Sequence, residues 1–355
     1  MAVSFSDILK DVSKLEVDGD LVSALRVLEE NKNDSDFKDV KFMFQMNIDR
    51  LLLRINNLAS EYFLGGDAIY EHPRNPRTYA FDSKGLANKE LLPIISLTTI
   101  STRIDRVLMT IDCIKKQSTP IHSINLYISD EPYLLDEGID RNHPILLELY
   151  KLGVNIYNVS NTGPYRKQYP VIYQLKASGA PAKTPIITID DDVLYPEDIV
   201  EKLVCAKDSL SAVVSHRGRQ MILGQYKMGQ YKEFKPPLNN LDYLNLGTGK
   251  NGILYRLDFF SDKFEEYVGP IIAPTADDLW CKWVTALKCI PTIIVEPNAA
   301  YEPSLDFKES APEDKVGLFH KFNAKGRNDV AISNLETYFS LLGNNLFSIY
   351  SRKFN

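Results

Sequence analysis

Two short acidic stretches stand out for the chemistry they could perform: TIDDDVLYP at 188–196 and TADDLW at 275–280. In the first, Asp190, Asp191 and Asp192 follow the apolar run Pro185, Ile186, Ile187. Three adjacent carboxylates behind a buried strand raise one another's pKa unless a cation stands among them. A hard divalent cation with oxygen ligands relieves that repulsion and can hold a diphosphate at the same time. Capping is the simpler use of such residues, since Pro196, Glu197 and Asp198 favour a helix start just beyond, but a cap needs one aspartate and not three. In the second stretch, Asp277 and Asp278 open an amphipathic pattern whose Leu279, Trp280, Trp283, Val284 and Leu287 form an apolar stripe. Capping alone would explain one aspartate of that pair.

Other stretches carry polar chemistry at lower density. Tyr165, Arg166 and Lys167 offer an aromatic face and two cations, enough to stack a base and meet a phosphate, although such a run also suits a solvated face. Ser215, His216, Arg217, Gly218 and Arg219 follow an apolar run and could bind a donor, an anionic acceptor, or simply solvent. The segment LGTGKNG at 246–252 is not a P-loop, because Leu244 stands where GxxxxGK[ST] needs glycine and Asn251 where it needs a hydroxyl. Its glycines, with Gly249 and Asn251 at the centre, instead allow backbone to approach a ligand closely. The four cysteines have no CxxC spacing and read as free thiols.

These residues need elements to position them. Residues 4–62 carry helical periodicity, with breaks at Asp18-Gly19-Asp20 and residues 31–34, and predict a small α-helical module. Residues 63–91, with Gly65-Gly66, Pro73 and Asn75-Pro76, read as a connector. From residue 92 short β-rich runs alternate with amphipathic helices: strands at 94–99, 124–129, 155–159 and 185–189, helices at 103–117, 143–152 and 171–177. That alternation predicts a Rossmann-like, mainly parallel sheet with helices on both faces, whose ligands bind beyond the carboxyl ends of the strands. Asp190–Asp192 sit at such an end.

Seven blocks occur in order over residues 93–300: PIISLTTISTRIDRVLMTIDCIKKQ, INLYISDEP, GPYRKQYPVIYQL, PIITIDDDVLYPEDIVEKL, VVSHRGRQM, LGTGKNGILY and APTADDLWCKW. In that order the sequence resembles the GT-A glycosyltransferases, in particular the family-2-like bacterial enzymes of capsule and lipopolysaccharide synthesis. The resemblance implies a GT-A domain at 92–300, followed by a C-terminal loop and helical tail at 301–355. It implies that Ser96, Thr98, Thr99 and Arg103 flank the nucleotide and that Asp130 meets the base or ribose, where a turn residue before Pro132 is an equal alternative. It places Asp190 at the ribose and Asp192 on Mn²⁺ or Mg²⁺ bridging the diphosphate, with Asp191 in either role. The LGTGKNG segment would line the sugar pocket. Asp278 would be the general base with Asp277 as its acidic neighbour, although relatives often carry a glutamate in this pair. A late histidine, His320, would complete the metal shell, near Lys321 and Arg327.

The fold and function expected are therefore those of a metal-dependent transferase. It would move a sugar from a nucleotide-diphosphate donor, with a UDP-sugar favoured, to a glycan or lipid-linked glycan in surface polysaccharide synthesis, with inversion. The alternatives are a retaining transferase, a nucleotidyltransferase or other metal-dependent nucleotide enzyme, and a noncatalytic scaffold. A net charge of −6 argues against nucleic acid as a partner. No apolar run reaches the ~20 residues that span a bilayer, and the N-terminus lacks the order of a signal peptide. The expectation is a cytoplasmic protein, with any membrane association peripheral and at the inner face. Residues 1–62 are the part available to a protein partner or to dimerisation.

Overall fold

The computed structural model describes residues 4–62, 67–70, 91–207, 211–224, 227–263, 266–297, 308–309, 318–346 and 350. Three helices open the chain: α1 (Phe5–Val17), α2 (Leu21–Lys32) and α3 (Lys41–Tyr62). Ser4 and Asp7 form a capping box at the start of α1, and Asp20 accepts from the Ser23 amide to cap α2. Between them Gly19 takes a φ of +78°, which a side chain would disfavour. Glu16 binds Arg50 and Arg54 and clasps α1 to α3.

The strands that follow are β1 (Asp67–Tyr70), β2 (Ile94–Thr98), β3 (Ser123–Ile128), β4 (Val154–Asn158), β5 (Pro185–Thr188), β6 (Val193–Leu194) and β7 (Val213–Ser215). After them come β8 (Gly218–Gln220), β9 (Leu241–Asp242), β10 (Asn245–Gly247), β11 (Ile253–Arg256), β12 (Thr292–Ile294) and β13 (Lys308–Glu309). Nine of these form one sheet in the order β1-β4-β3-β2-β5-β11-β7-β12-β9. β4, β3, β2 and β5 pair in parallel; β11 runs antiparallel between β5 and β7, and β12 is parallel to β7. The sheet is thus mainly parallel, with β1, β11 and β9 reversed.

The interleaved helices are α4 (Val107–Lys115), α5 (Pro144–Lys151), α6 (Tyr169–Ala177), α7 (Ile199–Lys207), α8 (Gly269–Ile272), α9 (Asp277–Leu287), α10 (Leu318–Lys321) and α11 (Arg327–Leu341). Side-chain alternation along the strands divides the core in two. Ile95, Ile187, Val214 and Leu254 face α4, α5 and α7 through Ile111, Leu149 and Leu203. Ile94, Ile186, Val213 and Tyr255 face the other way, toward α6, α9, α11 and the N-terminal helices. Helices cover both faces, as the alternating pattern predicts.

Three departures from the sequence pattern matter. The segment predicted as a connector contributes β1, an edge strand antiparallel to β4. The helix predicted from 103 begins only at Val107, after tight turns at 101–106 that carry Arg103. Past residue 300, β13 returns to pair with β6, immediately after the acidic triplet.

Candidate active site

β5 delivers the triplet. The Ile189 amide bonds the Ser96 carbonyl, after which the chain leaves the sheet and turns through Asp190, Asp191 and Asp192 into β6. Thr110, from α4, donates its hydroxyl hydrogen to the Asp191 and Val193 carbonyls at 2.9 and 3.0 Å and pins the turn from below. The Tyr195 hydroxyl accepts from the Asp190 amide at 3.0 Å and donates to the Lys250 carbonyl at 2.8 Å, which ties the turn to the glycine-rich segment. The helix beyond begins at Ile199, so the aspartates of the triplet are not its caps.

Each carboxylate of the triplet faces a cation. Arg103 reaches Asp192 at 2.8 Å and Asp191 at 3.2 Å, and Thr99 donates to Asp191 at 2.5 Å. Lys167 reaches Asp190 at 2.7 Å. Burial pushes the Asp191 carboxyl up despite Arg103. Burial and the neighbouring Asp191 push Asp192 up to about 6. Against its burial, Asp190 is held below the usual range by Lys167 together with Arg103 and Lys250.

The second acidic stretch stands across the cleft at the start of α9, whose N-terminus has no side-chain cap. Asp277 accepts from Gln168 at 2.9 Å and from Lys167 at 3.1 Å, so one ammonium joins Asp190 to Asp277. That ammonium is buried, and against its burial Asp190 and Asp277 drive its pKa well up. Asp278 accepts the Gly249 amide on Oδ2 at 2.8 Å, while its Oδ1 has no partner among the described residues. Burial, then the charge on Asp277, pushes the Asp278 carboxyl up to about 7, with Lys167 opposing. A Cβ on Gly249 would stand 3.0 Å from Asp278 Oδ1 and 3.3 Å from Lys167 Nζ, which explains why glycine is needed there. The cleft these groups line has a volume of about 460 Å³.

Not every expected residue reaches the cleft. Thr98, Arg103, Lys167, Asp190, Asp191, Asp192, Gly249, Asp277 and Asp278 line it. The Thr98 hydroxyl, however, bonds the Tyr127 carbonyl. Asp130 lies outside, bound to Arg141 at 2.8 Å and Asn158 at 3.2 Å. Asn251 is buried behind the cleft wall. Tyr165 cannot stack a base: its ring is wholly buried against Tyr169 and Trp280, and its hydroxyl bonds the Ala273 carbonyl at 2.7 Å. His320 lies in α10, beside Leu318, which lines the cleft; its side chain is outside the described residues. Two contributors, Gln168 and Asp136, were not singled out in the sequence, and Arg166, which was, serves the floor of the site. Gln168 holds Asp277, and a buried pair, Arg166 with Asp136 at 2.8 Å, braces the floor where Arg166 also bonds the Thr99 carbonyl.

The donor set suits a divalent ion. Asp190 Oδ2 and Asp192 Oδ1 accept no hydrogen bond among the described residues, and Arg103 and Lys167 are shared among Asp190, Asp191, Asp192 and Asp277. No three ligating side chains converge among the described residues. Two carboxylates with the remaining ligands from phosphate and water is a common arrangement for a hard ion shared with a diphosphate.

No family model matches this chain, and no curated protein matches it. Among solved structures it is similar to Staphylococcus aureus TarS residues 1–349, at 16% identity over 70% of this chain and 71% of that one, with a TM-score of 0.37. TarS 1–349 in complex with UDP gives 15% identity over 70% and 72%, with a TM-score of 0.36. The longer TarS structure gives 16% over 59% of this chain and 38% of that one, with a TM-score of 0.35. Likeness at this level carries no functional argument, which rests instead on the site of this chain.

Proposed function

We propose that this chain is a glycosyltransferase that uses a nucleotide-diphosphate sugar, with a UDP-sugar as the favoured donor, and inverts the anomeric centre. The observation that carries the reading is the Lys167 ammonium. By joining Asp190 to Asp277 it places the triplet and the second acidic pair on one cleft, although 86 residues separate Asp192 from Asp278. Asp190 and Asp192 would hold Mn²⁺ or Mg²⁺, which supplies charge neutralisation for the leaving diphosphate.

The chain's own groups account for the rest. Asp278 Oδ1 is buried at the cleft wall with no hydrogen-bond partner among the described residues, and burial and Asp277 push its carboxyl up to about 7, so near neutral pH it can take a proton. The acceptor hydroxyl oxygen attacks the anomeric carbon as Asp278 takes its proton. The bond to the diphosphate oxygen breaks on the opposite face, and the electron pair leaves with the diphosphate. The Gly249 amide fixes the base, and Lys167 and Gln168 hold Asp277 beside it. The acceptor proposed is a glycan or lipid-linked glycan of a surface polysaccharide. Among the described residues no helix is long and apolar enough to cross a membrane.

A thermal-shift panel of nucleotide-sugars and nucleoside triphosphates, with and without Mn²⁺, tests this reading on the wild type and on Asp192→Ala. Metal-dependent stabilisation by a nucleotide-sugar, lost in the variant, is expected. Stabilisation only by triphosphates would favour a nucleotidyltransferase, and none by any nucleotide would sink the reading.

A further inference from the structure

The wall of the cleft on the Asp278 side holds cationic and polar groups that the mechanism leaves unused. Arg217 and Arg219 flank Gly218, so strand alternation points both to the same side, and both line the cleft. The strand lies flush against its neighbour: a Cβ on Gly218 would meet the Leu246 carbonyl oxygen and Ile294 at 2.4 Å. Arg217 donates from Nε to Thr248 at 3.0 Å and has no carboxylate within ion-pair distance among the described residues, unlike Arg103, Arg166 and Lys167. Arg219 lies over the Tyr231 ring at 5.4 Å. The Tyr231 amide in turn bonds Asp329 at 2.6 Å, which turns that carboxylate toward the backbone and brings the first turn of α11 to this wall.

α11 is a 15-residue helix whose N-terminus begins at Gly326 without a side-chain cap. Its first-turn amides carry partial positive charge. Independently, Asn328 lines the cleft at that end, is only 6% exposed, and has no side-chain hydrogen-bond partner among the described residues. A side-chain amide at the cleft wall with no protein partner has its donor and acceptor free for a group bound in the cleft. Two guanidinium forks, an open amide and a helix N-terminus together make a receptor for an oxyanion.

We propose that the wall formed by Arg217, Arg219, Tyr231, Asn328 and the N-terminus of α11 is the acceptor subsite, and that it recognises an acidic acceptor through a phosphate or carboxylate group. The assignment to acceptor rather than donor rests on the glycosyltransferase reading. Arg217 is anchored to Thr248, next to the Gly249 whose amide holds Asp278. In a displacement with inversion the acceptor enters on the side of the base and the diphosphate leaves on the other. The subsite therefore fixes the charge class of the acceptor while the sugar hydroxyl faces Asp278.

Calorimetric titration of the full chain tests this, with inorganic phosphate and with glucuronate as probes, each in the absence and in the presence of saturating UDP and Mn²⁺. At least one probe should bind the UDP-saturated protein, and Arg217→Gln/Arg219→Gln should weaken it at least tenfold while UDP affinity stays within about twofold. Which probe binds identifies the acidic group. The single variant Arg219→Gln and the charge-keeping Arg217→Lys, each checked by its melting temperature, give intermediate losses if the double variant does not fold. Binding of neither probe, binding insensitive to the arginines, or a parallel loss of UDP affinity would overturn the acceptor assignment. Arginine-dependent phosphate binding in a wild type that binds no nucleotide would instead overturn the glycosyltransferase reading and leave the oxyanion site standing.

Discussion

Asp278 has one oxygen tied to a backbone amide and one buried without a partner among the described residues, and burial and Asp277 push its pKa up to about 7. A base of that kind gives kcat an acid limb: activity should rise with pH through about 7 and level off above. Asp278→Asn should lower kcat by about 10²–10⁴-fold with little change in nucleotide affinity, read by steady-state kinetics and titration. Lys167 favours the ionised form of Asp278, so Lys167→Met should move the acid limb to higher pH, a displacement that a purely structural lysine would not cause. The same shifts set a stability trend. Asp278 and Asp192 have folded pKa values above the unfolded value, so their contribution is present below about pH 4 and lost as pH rises through about 6 to 7. Asp278→Asn should therefore melt near the wild type at pH 4 and above it at pH 8. The two acidic groups of this site were legible because each is contiguous in the chain, whereas Asp136, which pairs with Arg166 from a separate loop, was not. Tyr165 was misread because its burial is decided at a distance: Gly269 leaves the room its ring fills, since a Cβ there would meet the ring at 2.3 Å. Gln168 was invisible for the same reason, its partner Asp277 lying 109 residues away.

At the level of elements, the strands β2 to β5 and the helices between them follow from local periodicity, because each buries a face set by its own sequence. β1, β6 and β13 do not. They are strands only because β4 closes over the first and the other two pair with each other across the turn after Asp192. α9 shows an element carrying a cost. Lys282 lies on its buried face at 4% exposure, with its ammonium 3.3 Å from the Thr292 hydroxyl, and burial lowers its pKa to about 7. Below pH 7 the folded protein must bury this charge; between 7 and about 10 the folded lysine is neutral while the unfolded one stays charged, so stability rises with pH there. Lys282→Met should stabilise the protein by about 1–4 kcal/mol near pH 6, and the gain should shrink toward pH 10. Chemical denaturation at the two pH values measures it, and no gain at pH 6 would show that the lysine finds water or a counter-charge.

At the scale of the molecule, the helical N-terminus reads in the sequence as a separate module, and its packing shows why sequence alone draws that line too sharply. Leu25 and Leu28 on α2 are fully buried, and they belong to the same apolar cluster as Trp280, Trp283, Leu335 and Tyr338. Arg26 bonds Ser333 and Asn334 on α11 at 3.0 Å each, and Tyr338 bonds Asn56 on α3. The helix whose N-terminus lines the cleft is thus held from behind by α2 and α3. Amphipathic periodicity announces an apolar face on each helix but not which partner covers it, so the pairing of α2 with α11, some 300 residues apart, had no local signature. A shared core predicts shared unfolding. Leu25→Ala should cost about 2–5 kcal/mol, and scanning calorimetry should show one transition that moves down as a whole, with the cleft's nucleotide affinity unchanged at temperatures below it. Two transitions, with only the first lowered by the substitution, would show instead that α1 to α3 fold as a body independent of the sheet.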